Sequence, residues 1–362
     1  MKRREILGAG ALGLAGAATF PSPAISQGRQ RWDMVLAWPV GLPGVQPALD
    51  RFAEMVEKCS GGALSIRMHG AGEIVPAFES LDAVSAGTVQ MGHAAPYYWI
   101  GKATATQFLC AMPFGLTAHE QTAWYEYGGG YDLAQEVYDD FGLKFLLGGN
   151  TGTQMFGWFN KEINSLDDVR GLNIRIPGLG ADVMRSAGAT VVTMPGAEAI
   201  SALQSGVVDA VSWIGPANDM AAGLHRVAKF YYHPGWQEPG VVLDLFINRG
   251  AWDGLSDELK AIMEVAAHDL NQNMISNYMA ANQRALRALQ EDYDIELRAL
   301  PDDVLAELAR LAVARMEELA DGDAMTRRVL DSLKDFRDSQ MPWTAVSDQK
   351  FLDVRRSLAD HL

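Results

Sequence analysis

Apolar positions recur along this chain with two periods. The run WDMVLAW at 32–38 is short, apolar and rich in strand formers, and it predicts a strand. The segment PALDRFAEMVEKCSGG at 47–62 instead places Leu49, Phe52, Ala53 and Val56 at the i, i+3, i+4, i+7 spacing of one helix face. Gly61 and Gly62 stop it. ALSIRMHG, at 63–70, returns to the strand pattern. In SLDDVRGLNIRI, at 165–176, Ser165 and Asp168 make a capping pair ahead of a further strand. Strands and helices alternating in this way define an α/β chain. FESLDAVSAGTVQMGHAA (78–95) and AEAISALQSGVVDAVSWIG (197–215) share one plan when Gly87 is set against Gly206: short amphipathic helix, glycine stop, apolar strand. The repetition suggests two lobes, against the alternative that any two helix–strand units look alike. From Ser256 to beyond Asp292 no Gly or Pro interrupts a helical pattern, and Ser256, Asp257 and Glu258 suit its N-terminus. Such a helix would run roughly 50 Å, enough to bridge two lobes. Helical patterns continue from Pro301 to about Asp338, followed by a polar break and an apolar-containing tail over 341–362.

One position in this pattern is chemically awkward. In NIRIPG (173–178) strand alternation puts Ile174 and Ile176 on one face and Arg175 on the other. If that face is solvated, Arg175 is an ordinary strand-end arginine. If it is buried, the guanidinium requires an anionic partner.

The N-terminal stretch reads as an export signal over residues 1–27. A basic head (Lys2, Arg3, Arg4) precedes a Gly/Ala-rich apolar run and small residues near Ser26. The paired arginines suggest the twin-arginine route, with an ordinary secretory signal as the alternative, and either places the mature chain in the periplasm. The remaining residues, about 335, suffice for two domains. A net charge of -15 argues against nucleic acid and anionic membrane surfaces as partners. Cys59 and Cys110 could pair in an exported protein. Their settings, a helix end and the apolar QFLCAMPF, favour two buried free thiols.

Enzyme signatures are missing. The seven histidines contain no H-x-x-x-H pair; there is no G-x-S-x-G elbow, and the Gly-rich YGGGYD and GGNTGTQ have no phosphate-binding lysine. His233 near Glu238 could imitate a metal pair but has no third ligand.

Several stretches together resemble a known family: AWPVGLPGV, the segment 71–102 ending in YYWIGK, MPFGLTAHEQTAWYEYGGG, GNTGTQMFGWFNKEI, GLNIRIPGLG, the segment 201–240 through SWIGPAND to WQEPG, and the long helix. The chain is similar to the solute-binding proteins of TRAP (tripartite ATP-independent periplasmic) transporters, within them the branch that binds 2-oxo and 2-hydroxy monocarboxylates such as pyruvate and lactate. The resemblance implies a two-lobed, type II-like periplasmic binding fold. Lobe I would be 28–152 plus about 241–280, lobe II 153–240 plus about 281–340, and 341–362 a C-terminal extension. It implies a receptor, not an enzyme, that closes on a small organic acid and is recognised by the small and large membrane subunits. It also implies a homodimer contact through the tail, where Trp343, Phe351 and Leu352 offer apolar surface.

Site residues carry over as well. Arg175 matches the arginine that grips the substrate carboxylate. A planar fork can donate two parallel N–H bonds and stays charged at any physiological pH. Gln154 matches a glutamine that touches substrate and a cation. Asn150 lies in the same loop, and Tyr97 and Tyr98 offer hydroxyls, Tyr98 being preferred. Trp213 matches a tryptophan whose carbonyl and ring line the pocket, and Glu238 an acidic cation ligand. No organic cofactor is implied, but a sodium or calcium ion bridging the substrate is. Two positions depart from the branch. Ser212 stands where a cation-binding glutamate is usual, which predicts weaker cation binding or none. Phe156 adds a ring where glycine is usual, either narrowing the cavity or filling an apolar wall. Binding of another small organic acid without a metal remains the alternative.

Overall fold

The computed structural model describes residues 28–361; the export signal expected over 1–27 lies outside the described residues. Among the described residues eleven strands form two mixed sheets: β1 (Gln30–Leu36), β2 (Leu64–His69), β3 (Met91–Ala94), β4 (Leu143–Asn150), β5 (Gly157–Phe159), β6 (Asn173–Arg175), β7 (Thr190–Val192), β8 (Ala210–Val211), β9 (Phe230–His233), β10 (Val242–Asn248) and β11 (Glu296–Ala299). The first sheet has the order β2-β1-β3-β10-β4, the second β7-β6-β8-β5-β9-β11. In each, three parallel strands meet an antiparallel neighbour, β10 beside β3 and β5 beside β8. The two halves therefore repeat one wiring plan. Gly87 and Gly206, which stop the matching helices, adopt φ of 74° and 75°, a left-handed turn that glycine enters without a Cβ clash.

Each sheet with its helices is a lobe. The helix Val45–Cys59 buries Val45, Ala48, Leu49, Phe52 and Val56 against the first sheet, as its periodicity requires. Cys110 is buried and Cys59 is exposed, both as free thiols. Only one of the two thiols is therefore buried, because Cys59 ends its helix on the polar face.

Two neighbouring chain segments cross between the lobes, one after β4 and one before β10. They are bonded to each other: the Thr151 N–H donates to the Val241 carbonyl (3.1 Å), the Gln154 N–H to the Glu238 carbonyl (3.1 Å), and Thr153 Oγ1 to the Pro239 carbonyl (2.9 Å). The helix Asp257–Asp292, 36 residues long and capped by Ser256, spans both lobes. It packs on β4 and Val45–Cys59 of the first and on Pro216–Ala221 of the second. Helix Asp302–Asp321 lies on the second lobe against Gly178–Ser186. Helix Ala324–Val346 returns to the first lobe, against the sequence reading that left everything up to about 340 with the second. It is anchored there by Trp124 Nε1 donating to Ser332 Oγ (3.0 Å) and by a two-pronged Arg328–Glu136 pair (2.5 and 2.8 Å). The polar break expected after about Asp338 is absent, since this helix runs through Pro342 to Val346 and a further helix follows over Asp348–Ser357. Trp343 and Phe351 stand exposed on these helices. Among the described residues no helix is long and apolar enough to cross a membrane.

Candidate functional site

Both faces around Arg175 are buried. Ile174 and Ile176 pack into the core, and Arg175 itself is only 2% exposed. It ends β6, between β7 and β8, and the segments leaving those two strands receive its guanidinium. Nε and Nη2 donate to the Met194 carbonyl (3.1 Å each) and Nη1 to the Ser212 carbonyl (2.7 Å). Its charge lies 5.6 Å from the centre of the Trp213 ring. Three of the five N–H donors of a guanidinium are thus used. Among the described residues no carboxylate lies within ion-pairing distance of it. A buried cation held only by backbone carbonyls has its orientation set and its charge still uncompensated.

An acidic group that feels its charge is Glu238, on the second crossover and 2% exposed. Burial pushes its carboxyl up to about 8, with the field of Arg175 pulling the other way. Oε1 has no hydrogen-bond partner. Oε2 meets Gln154: one end of that amide sits 2.6 Å from Glu238 Oε2 and 2.9 Å from the Trp213 carbonyl, while its other end is 3.0 Å from Thr151 Oγ1. With nitrogen inward, the amide donates to both acceptors. With Oε1 inward, three oxygens crowd together, an arrangement that a hard cation satisfies and hydrogen bonds cannot. The donor set of one carboxylate, one amide oxygen and one backbone carbonyl, with a carboxylate oxygen left unpartnered, fits sodium or calcium.

Tyr97 and Tyr98, half-buried, come from the first lobe. Burial raises both phenols, most strongly Tyr97, and both feel the charges of Arg175 and Glu238. The rings meet edge to face at 4.9 Å. A cavity of about 300 Å³ opens beside Tyr98, walled by Ala37, Trp38, Pro76 and Ala77 of the first lobe and Pro195, Gly196 and Trp213 of the second. A smaller one of about 190 Å³ is lined by Phe78, Tyr97 and Tyr98 of the first lobe and by Pro177 and Gly178 of the second. The site is therefore interlobe.

The other expected positions divide. Asn150 is fully buried at the crossover: its Oδ1 accepts from the Gly152 and Val241 N–H groups (2.9 and 3.1 Å) and its Nδ2 donates to Gln121 (2.8 Å). It clasps the two crossing segments, which leaves one N–H at most for a guest. The Phe156 ring packs between Phe159 and Trp236, 4.9 and 5.7 Å away, so it fills an apolar wall rather than the cavity. Ser212 is buried, and its Oγ accepts from Gln237 Nε2 (3.2 Å). Residues that the sequence did not single out are Met194, whose carbonyl orients Arg175, Thr151 behind Gln154, and Trp38. Only Trp38 had a sequence signal, as the aromatic closing the apolar run 32–38.

An uncompensated buried cation, an incomplete oxygen cluster and tyrosines from the opposite lobe define a two-lobed receptor for a small anion. Residues 37–321 match the model of bacterial extracellular solute-binding proteins, family 7, and the chain belongs to that family. Its members are substrate-binding receptors, and the chain is a TRAP solute receptor. It is 38% identical over 97% of its length to a monocarboxylate 2-oxoacid-binding periplasmic protein of Nostoc sp., covering 98% of that protein. It also resembles a TRAP periplasmic solute-binding protein from Colwellia psychrerythraea solved with bound calcium and pyruvate (TM-score 0.88, 39% identity, 90% of this chain and 99% of that one). The corresponding protein from Pseudoalteromonas atlantica, with bound sodium and pyruvate, matches with TM-score 0.87 and 38% identity over 90% and 99%.

Proposed function

We propose that this chain is the periplasmic receptor for a small 2-oxo monocarboxylate of the pyruvate class, held by Arg175 and released to the small and large membrane subunits of a TRAP transporter. The observation that carries the reading is the buried Arg175 fork, with no carboxylate of its own among the described residues, set at the seam between two lobes. The acid's carboxylate completes it by accepting the remaining N–H groups. Gln154 Oε1, the Trp213 carbonyl and Glu238 Oε2 would hold a sodium or calcium ion. A cation there supplies a positive charge that both the carboxylate and the 2-oxo oxygen of the acid can face. Glu238 must lose its proton to serve, and Ser212 adds no charge, so affinity for the ion is weaker than a two-carboxylate site would give. Tyr97 and Tyr98 reach the acid only when the lobes are shut, so closure is a population shift sized by those contacts. A receptor of this kind returns the acid unchanged. The exposed face around Trp343 and Phe351 is offered to a second copy of the chain, which light scattering before and after removal of residues 341–362 would reveal.

The test is isothermal titration of the mature protein with pyruvate, with and without calcium, after exhaustive dialysis in sodium-free chelator. One-to-one binding that strengthens with calcium and returns intact pyruvate supports the proposal. Turnover, or no binding by folded protein, ends it.

A further inference from the structure

The peptide that joins Trp213 to Ile214 is trans and planar, so it carries two polar groups on opposite edges. One is the Trp213 carbonyl, aimed at Gln154 and the cation site. The other is the Ile214 N–H, which donates to Asp219 Oδ1 (3.2 Å). We infer that Asp219 is a positioning residue for the cation site: it holds this peptide in the rotation that turns the Trp213 carbonyl toward the ion. This rests on the receptor reading above, in which that carbonyl is an ion ligand, and deepens it by naming the group that sets its direction.

Asp219 is 1% exposed and lies on the helix Pro216–Ala221. Its second oxygen, Oδ2, accepts from Trp158 Nε1 (3.0 Å) and from the Tyr231 hydroxyl (2.8 Å). These two residues face each other across the paired strands β5 and β9, with their rings stacked at 4.1 Å. The carboxylate is thereby fixed from the core side and presents Oδ1 to the turn. The helix that carries it is held as well: the Ala217 N–H donates to Asn282 Oδ1 of the long helix (3.0 Å), and the Asp219 N–H returns to the Gly215 carbonyl (2.9 Å). On the next peptide the Ile214 carbonyl accepts from the N–H of Met155 (3.2 Å), the residue after Gln154. The turn is gripped on both sides of Ile214, which keeps the Trp213 carbonyl and the Gln154 side chain in register. An amide that gives its N–H to a carboxylate is also polarised, so its carbonyl oxygen becomes a stronger ligand for a hard cation. The core donors are served by Oδ2 alone, so the Oδ1 bond acts on the turn and not on the core. Groups placed behind a metal ligand in this way orient it and tune its strength.

The experiment is calorimetric titration of the full mature chain with calcium at saturating pyruvate, and with pyruvate in sodium-free chelator, with the melting temperature as folding control. The proteins are the parent, Asp219→Ala, Asp219→Asn and Tyr231→Phe. Alanine removes the acceptor. Asparagine, nearly isosteric, keeps the test available where alanine does not fold. It has one oxygen for donors on two sides; Trp158 and Tyr231 together claim it, which turns its NH₂ against the Ile214 N–H. Calcium affinity should fall about 10- to 100-fold in Asp219→Ala and at least about tenfold in Asp219→Asn. Pyruvate affinity in chelator should stay within about threefold of the parent's, because Arg175 is oriented by the Met194 and Ser212 carbonyls. Tyr231→Phe removes a core donor but leaves the Ile214 bond, so it should melt lower and still hold calcium within about threefold of the parent. The inference is overturned if either Asp219 variant, folded, binds calcium as the parent does, if its pyruvate affinity in chelator falls equally, or if Tyr231→Phe loses as much calcium affinity. A parent that binds pyruvate but no calcium removes the cation from the receptor reading, and the role of Asp219 with it. A folded parent that binds no acid ends that reading altogether.

Discussion

Replacing Arg175 by alanine removes the one charge that the site leaves uncompensated. Two effects separate cleanly. In the free protein the Met194 and Ser212 carbonyls lose their donors. An unsatisfied buried acceptor costs about 1–3 kcal/mol, but water admitted to the vacated space restores part of this, so unfolding should become easier by no more than a few kcal/mol. In the complex, the acid's carboxylate loses a two-pronged, charge-assisted partner in a desolvated cleft. Truncating one side of such a pair typically costs about 2–5 kcal/mol, which at 1.4 kcal/mol per decade is a loss of roughly 30- to 4,000-fold in affinity. Arg175→Lys keeps the charge, but a single ammonium cannot serve two carbonyls and a carboxylate at once, so it should fall between parent and alanine. The assay is calorimetric titration with pyruvate in calcium, with the melting temperature of the ligand-free protein as a folding control. If Arg175→Ala is folded and binds pyruvate within threefold of the parent, the guanidinium is structural and the reasoning is wrong.

Three further outcomes follow from other parts of the molecule. Glu238→Gln removes the only carboxylate of the oxygen cluster, so calcium should no longer strengthen pyruvate binding. Calcium enhancement equal to the parent's would place the ion elsewhere. Asp244 is buried, accepts from Trp99 Nε1 (3.1 Å) and from the Tyr138 hydroxyl, and burial lifts its carboxyl from 3.8 to about 6. The folded state therefore holds a proton that the unfolded chain has shed between those values, so this residue's contribution to stability is full below pH 4 and is lost as pH rises through 6, on the order of 3 kcal/mol in all. Asp244→Asn keeps an acceptor for both donors and should gain stability relative to the parent, by urea unfolding, on going from pH 4 to 7; a difference that does not change with pH would contradict this. Phe156→Ala leaves a hole between Phe159 and Trp236 and should cost about 3–5 kcal/mol of stability while leaving pyruvate affinity within threefold, because the ring faces the core. A large affinity change with intact stability would put the ring in the cavity instead.

Local periodicity carried much of this architecture. The buried stripe of Val45–Cys59, the paired helix–glycine–strand units around Gly87 and Gly206, and the uninterrupted helix from Asp257 were all legible because each is a short-range property of the backbone and its side-chain spacing. Arg175 was legible as a question, since alternation puts a permanent charge opposite two isoleucines. Its answer was not. That its face is buried depends on β7, β8 and the opposite lobe, which lie elsewhere in the chain. The polar meeting point likewise needs Gln154 from one crossover, Glu238 from the other and the Trp213 carbonyl from the segment leaving β8, and no spacing rule brings those three together. Asn150 shows the opposite case. Its side chain ties the two crossing segments together, because the Gly152 and Val241 N–H groups need an acceptor, and no sequence spacing shows that demand. Most of the secondary structure, and Arg175 as the charge in question, were legible in residue order alone. Which charges are buried, which donors are spent and which are left for a ligand was decided only when the two sheets folded and closed, because desolvation and hydrogen-bond satisfaction belong to the whole packed molecule.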